Sequence, residues 1–105
     1  TSVLLDNGST LELSPGTVVV AVKSHCDGCL SYLNDPQLGQ WNILPIATDE
    51  EIATHGNVAT SRALLEALDI RSAPFFVALD GAPLEVVSEG VPFDRAHLLE
   101  ILPSR

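Results

Sequence analysis

Thr17-Val18-Val19-Val20-Ala21-Val22-Lys23-Ser24-His25-Cys26-Asp27-Gly28-Cys29-Leu30-Ser31-Tyr32-Leu33 is the stretch on which the fold turns. Its first six residues form a β-branched run with no polar alternation, which suits a central strand covered on both faces. Directly after it, Cys26, Cys29, Leu30 and Leu33 fall at i, i+3, i+4 and i+7, the spacing of one helical face. The pattern predicts a helix launched from a buried strand, with a C-x-x-C dithiol on its first turn. Asn34-Asp35-Pro36 should end that helix, because proline disfavours helical backbone in the residue before it.

Outward from this core, Val3-Leu4-Leu5 and Thr10-Leu11-Glu12-Leu13 flank Asp6-Asn7-Gly8-Ser9, and Asn-Gly is a strong hairpin signal. Ser14-Pro15-Gly16 then breaks the pattern. Beyond Gly39, Asn42 to Ala47 reads as a second strand that Pro45 demotes toward an edge or a bulge. Thr48-Asp49-Glu50-Glu51 reads as an acidic loop or short turn. A helix is expected from about Asn57 to Leu68, capped by Asn57 or Thr60. Pro74 opens the apolar strand Phe75 to Leu79, Asp80-Gly81 turns into Leu84 to Ser88, and Gly90 interrupts. Asp94 to Leu102 should form a last helix with Leu98, Leu99, Ile101 and Leu102 turned inward. Trp41 reads as packing.

The 105 residues suffice for one domain with a real core and not for two. With 46% hydrophobic and 18% charged residues, the chain reads as folded rather than disordered. A formal charge of −9 would repel phosphate backbones and anionic lipid, so nucleic-acid binding and membrane-surface docking are not expected. No segment is long and apolar enough to span a bilayer. The sequence starts at Thr1 and holds no Met, so a signal or anchor would lie outside it. A monomer is expected.

By spacing alone, Cys26-Asp27-Gly28-Cys29 admits four readings: a redox dithiol, half of a metal site, a structural disulfide, or two unremarkable cysteines. A metal module would recruit His25, His55 or His97 beside the two sulfurs. Structural zinc normally uses two paired clusters and no second pair is present. Copper(I) remains chemically open, since thiolates suit soft metals. A disulfide across so short a loop would restrain the unfolded chain little.

The order hairpin, β, α, β, α, β, β, α, with C-x-x-C at the first β-to-α junction and Ala73-Pro74 before the last hairpin, resembles the thioredoxin-like superfamily. The likeness runs from Thr17 to Leu102. It is densest in Leu68-Asp69-Ile70-Arg71-Ser72-Ala73-Pro74-Phe75-Phe76-Val77-Ala78-Leu79-Asp80-Gly81 and in Glu89-Gly90. The N-terminal hairpin looks like the entry to TlpA-like and redoxin-type members, bacterial thiol-disulfide oxidoreductases often exported or tethered outside the cytoplasmic membrane. The resemblance implies a mixed-sheet α/β/α sandwich, the thioredoxin fold. A single domain over 1–105 is expected, with 1–16 as a hairpin extension and 17–102 as the core.

It further implies that Cys26 is the nucleophile and Cys29 the resolving thiol, with no organic cofactor. Pro74 takes the place of a cis proline beside the dithiol, and a groove between His25, Ala73-Pro74 and Gly90 receives an extended protein substrate. A redox partner protein and an extracytoplasmic location go with this reading. A helix N-terminus would favour the Cys26 thiolate, which His25 can support and Asp27 opposes. The chain departs from the family at three places. His25 stands where an aromatic is usual, Val20 where thioredoxins proper carry a buried acid, and Pro45 where a lysine is sought. Lys23 stands where peroxiredoxins place Thr or Ser. Besides the copper or zinc module, the alternative is a non-catalytic adaptor that uses the fold only for docking.

Overall fold

The computed structural model describes residues 1–105. Strand β3 (Thr17–Val22) is wholly buried and lies at the centre of a five-stranded sheet, as its unbroken β-branched run requires. It pairs parallel to β5 (Trp41–Ala47) and antiparallel to β6 (Phe75–Asp80). The two-residue β4 (Gln37–Leu38) and β7 (Glu85–Gly90) complete the order β4-β5-β3-β6-β7. Successive side chains of β3 feed opposite cores. Val18, Val20 and Val22 join Cys29, Tyr32, Leu33, Trp41 and Leu98 on one face. Val19 and Ala21 join Leu13, Ile46, Leu64 and Val77 on the other. Helices α1 (Ser31–Asn34) and α3 (Arg95–Ile101) contribute to the first face, and α2 (Arg62–Ala67) to the second. This is the layered α/β/α arrangement with a mixed sheet.

The N-terminal hairpin, β1 (Ser2–Leu4) against β2 (Thr10–Glu12), forms as its turn chemistry dictates. Gly8 adopts φ 90°, and the Asn7 side chain accepts the Ser9 N–H at 2.9 Å. The hairpin is tied to the start of α2. The Ser61 hydroxyl donates to the Leu4 carbonyl at 2.7 Å, and the Asp6 carboxylate accepts the Arg62 N–H at 2.8 Å.

Pro45 is tolerated inside β5 because the strand's outer side is nearly an edge there, beyond the short β4. The Pro45 carbonyl points outward and accepts the Ala59 N–H at 3.0 Å, and in a strand the nitrogen of the same residue faces the same way. No bond to β3 is lost. That pairing also corrects the second helix. Ala59 lies extended beside β5, bridged to Ile46, so neither Asn57 nor Thr60 caps α2, and the Asn57 side chain instead donates to the Leu33 carbonyl of α1 at 3.0 Å. The cap is Ser61, whose hydroxyl accepts the Leu64 N–H at 3.1 Å.

Three further expectations change. Cys26 to Leu30 form turns rather than helix, closed by Cys29 N–H to the Cys26 carbonyl (3.2 Å) and Tyr32 N–H to the Cys29 carbonyl (3.1 Å). Asp27 and Gly28 are poor helix formers, and α1 begins only at Ser31. Leu30 is accordingly half exposed rather than on a buried face. Gly90 does not interrupt the last strand but ends it, opposite Phe76. Leu98 in α3 and Leu102 just after it are buried whereas Leu99 and Ile101 stay exposed, because a seven-residue helix presents only a narrow stripe to the sheet. Asp94 caps it through the His97 N–H at 2.8 Å.

Candidate functional site

Where β3 ends, the chain passes through Lys23 and Ser24 into His25, which takes the left-handed backbone conformation (φ 57°). That conformation is uncommon outside glycine, though histidine is among the residues enriched in it. The bend sets Cys26 at the surface and returns the chain so that Cys29 lies inside. The two cysteines are joined as a disulfide, with Cα atoms 5.4 Å apart. Cys26 is half-buried and Cys29 has 0% exposure. One sulfur of the bond is therefore within reach of another molecule and the other is not.

An open cavity of about 590 Å³ adjoins Cys26, bordered by Lys23, His25, Asp27, Leu30, Glu51 and His55 among others. His25 Nε2 lies 3.0 Å from Glu51 Oε2, both side chains well exposed. An exposed pair of this kind contributes little to stability and chiefly limits where the imidazole can go. Its geometry is set by Asp49. One Asp49 oxygen accepts both the Ser24 N–H and the Ser24 hydroxyl at 2.9 Å, and the other accepts the Ile52 N–H at 2.8 Å. Asp49 thus fastens the dithiol loop to the 3₁₀ turn Ile52–Thr54 that follows Glu51. These bonds, led by the Ile52 and Ser24 N–H groups, hold its carboxyl below the usual range.

From the other side, the dithiol turn rests on the segment between β7 and α3. A Cβ built on Gly28 would meet the Phe93 carbonyl oxygen at 3.1 Å, so the turn approaches this backbone closely. Phe93 itself is 80% exposed, its N–H donating to His97 Nδ1 at 3.1 Å. Arg95 reaches back across α1 and donates to the carbonyls of Asp35 (2.7 Å), Gln37 (2.8 Å) and Ser31 (3.3 Å). A one-turn helix cannot hold itself in water, and these bonds satisfy the carbonyl of its first residue and two carbonyls beyond its last.

His25 and Cys26 thus share one cavity, whereas Ala73, Pro74 and Gly90 do not border it. Those three are placed by sheet register at the same end of the sheet. Phe75, next to Pro74, pairs with Ala21 near the end of β3, and Gly90 pairs with Phe76. The Ala73–Pro74 and Ala82–Pro83 peptide bonds are both cis. With α1 only four residues long and starting after the dithiol, the helix-terminus argument for a Cys26 thiolate does not apply as expected. The inequality of the two cysteines lies instead in their exposure.

Val20 and Pro45, the positions at which an acid and a lysine are absent, prove to be register partners on adjacent strands, both buried. No group of three or more His, Cys, Asp or Glu side chains comes together that could hold a metal ion. Asp49, Glu51, Phe93 and Arg95 escaped the reading of the sequence as site-shaping residues. Each acts across at least 25 positions of chain, where no local spacing gives it away.

No protein-family model matches the chain, and no curated protein matches it by sequence. Among solved structures it is similar to the crystal structure of StoA from Bacillus subtilis, a thioredoxin-like protein. The likeness covers 95% of this chain and 93% of that one, with a TM-score of 0.61 at 12% identity. At that identity the likeness is one of fold, and the fold is thioredoxin-like.

Proposed function

We propose that the protein is a thiol-disulfide oxidoreductase acting on the cysteines of other proteins. The observation that carries this reading is the unequal burial of one bonded pair, Cys26 reachable beside an open cavity and Cys29 sealed in the core. The C-x-x-C pair at the end of the central strand of a thioredoxin-like fold supports a redox role in general terms.

In the reducing direction, a Cys26 thiolate attacks a substrate disulfide, forms a mixed disulfide, and releases one substrate thiolate that takes up a proton. Cys29 then attacks the Cys26 sulfur, the second substrate thiolate leaves, and the Cys26–Cys29 bond forms with two electrons passed to the substrate. The reverse sequence oxidises a substrate dithiol. His25 beside Cys26 serves proton movement, with Glu51 restricting the ring. Ala73, Pro74 and Gly90, at the same end of the sheet, provide the backbone along which an extended substrate strand lies. The acidic surface disfavours acidic partners. The hairpin entry favours an extracytoplasmic bacterial setting, to be checked by fractionating cells that produce the full-length protein.

The test is reduction of insulin by dithiothreitol with wild type, Cys26→Ser and Cys29→Ser. Wild type should accelerate it, Cys26→Ser should be inert, and reduced Cys29→Ser mixed with insulin in the absence of dithiothreitol should retain a covalent adduct. Turnover that survives Cys26→Ser, or no acceleration by wild type, overturns the proposal.

A further inference from the structure

The buried interior holds one side-chain polar atom with no hydrogen-bond partner, the hydroxyl of Tyr32, on a residue that is 1% exposed. An unsatisfied buried hydroxyl costs roughly 1–3 kcal/mol, so its retention calls for a reason. Its position supplies one. Tyr32 lies in α1 three residues after Cys29, and its N–H donates to the Cys29 carbonyl at 3.1 Å. Aromatic side chains in helices lean back over the residue three or four before them, which here is Cys29 or Gly28. Tyr32 and the fully buried Cys29 belong to one core cluster, against which Cys26 also packs.

In the disulfide, the Cys29 sulfur is uncharged and asks for no donor. Once the bond opens, it becomes a buried thiol or thiolate, and a buried sulfur anion without a donor is strongly disfavoured. The strands beneath offer none, since the facing pair is Val20 and Pro45. Asp49 is a carboxylate that only accepts, from Ser24 and Ile52, and has no proton to give. The oxidised structure thus has a donor without an acceptor, and reduction creates an acceptor without a donor.

We propose that Tyr32 is a redox-dependent hydrogen-bond donor to the Cys29 sulfur, idle in the disulfide state and engaged in the dithiol and mixed-disulfide states. The inference rests on the redox reading above. In the opening step a partner dithiol supplies a thiolate that bonds to the Cys26 sulfur. The Cys26–Cys29 bond breaks, its electron pair stays on Cys29, and the Tyr32 O–H donates to that sulfur. The second partner thiol then displaces Cys26, completing a two-electron reduction of the protein by the dithiol. Burial, reinforced by the negative charge of Asp94 and opposed by Arg95, pushes the Tyr32 phenol upward, so it keeps its proton at neutral pH.

The test compares wild type with Tyr32→Phe. Redox titration at pH 7 against glutathione gives the potential, and urea unfolding of the oxidised and reduced forms gives their stabilities. The oxidised Phe variant should be at least as stable as wild type, because the group removed is unpaired there. The reduced variant should be about fivefold less favoured relative to its unfolded form, the worth of roughly one hydrogen bond. The potential should fall by about 20 mV, which is that fivefold change for a two-electron couple. In a Cys29→Ala background the Phe substitution should no longer weaken the reduced protein. An unchanged potential, or equal losses in both redox states, overturns the proposal. If wild type fails to catalyse exchange, the functional reading falls, while the stability comparison still decides the role of Tyr32.

Discussion

Replacing Arg95 with methionine should lower the stability of the oxidised protein by about 2 kcal/mol. The side chain makes three bonds to carbonyl oxygens, two short ones to Asp35 and Gln37 and a longer one to Ser31. A buried hydrogen bond to a charged group contributes about 1.5–3 kcal/mol, but the two short bonds lie at exposed positions where water can take over. About 0.5–1 kcal/mol for each of the three is the appropriate scale. The ion pair with Asp35, at 3.8 Å, adds little. Methionine keeps the apolar stem, so the loss reports the guanidinium and not a cavity. For a domain of this size the melting temperature should fall by about 10 °C. Urea and thermal unfolding of wild type, Arg95→Met and Arg95→Lys would measure it. Lysine is a point donor and should recover no more than about half. A methionine variant within about 0.5 kcal/mol of wild type would refute the reasoning that this side chain holds α1 and the dithiol turn against the sheet.

Gly28→Ala should destabilise by about 1–2 kcal/mol, because its Cβ must push the Phe93 carbonyl from 3.1 Å. The same shift should speed reduction of the disulfide by dithiothreitol, and an unchanged rate with unchanged stability would count against the close approach. Asp49→Asn should weaken the protein at neutral pH by loosening the clamp between Ser24 and Ile52. The folded protein holds this carboxyl below 3.8, so its contribution is fully present above that value and lost as the pH falls through the depressed one. The gap between wild type and variant in urea midpoints should therefore close as the pH drops below about 4, and a gap constant down to pH 2 contradicts the clamp. Val20→Asp should cost about 3–5 kcal/mol, since the position has 0% exposure and faces Pro45 rather than a cation. A variant as stable as wild type would mean that water reaches this site.

The central strand was legible because burial on both faces leaves a continuous β-branched run, and Thr17 to Val22 is one. The hairpins were legible through Asn7-Gly8 and Asp80-Gly81, whose glycines take φ near 90°. Helical spacing at Cys26, Cys29, Leu30 and Leu33 misled, because periodicity says nothing about whether Asp27-Gly28 can sustain a helix. The second helix is shorter than its spacing predicts because the extended pairing of Ala59 with β5 is a tertiary fact. The dithiol itself was plain from its spacing and context. What surrounds it was not: Asp49 meets Ser24, Glu51 meets His25, and Arg95 meets Asp35 only after the chain has folded.

The most direct test is a brief pulse of iodoacetamide on freshly reduced protein, followed by mass mapping of the cysteine that carries the adduct. Alkylation should fall on Cys26, with Cys29 modified only after unfolding. Equal labelling of the two, or labelling of Cys29 first, would contradict the division of one exposed and one buried sulfur on which the exchange chemistry depends.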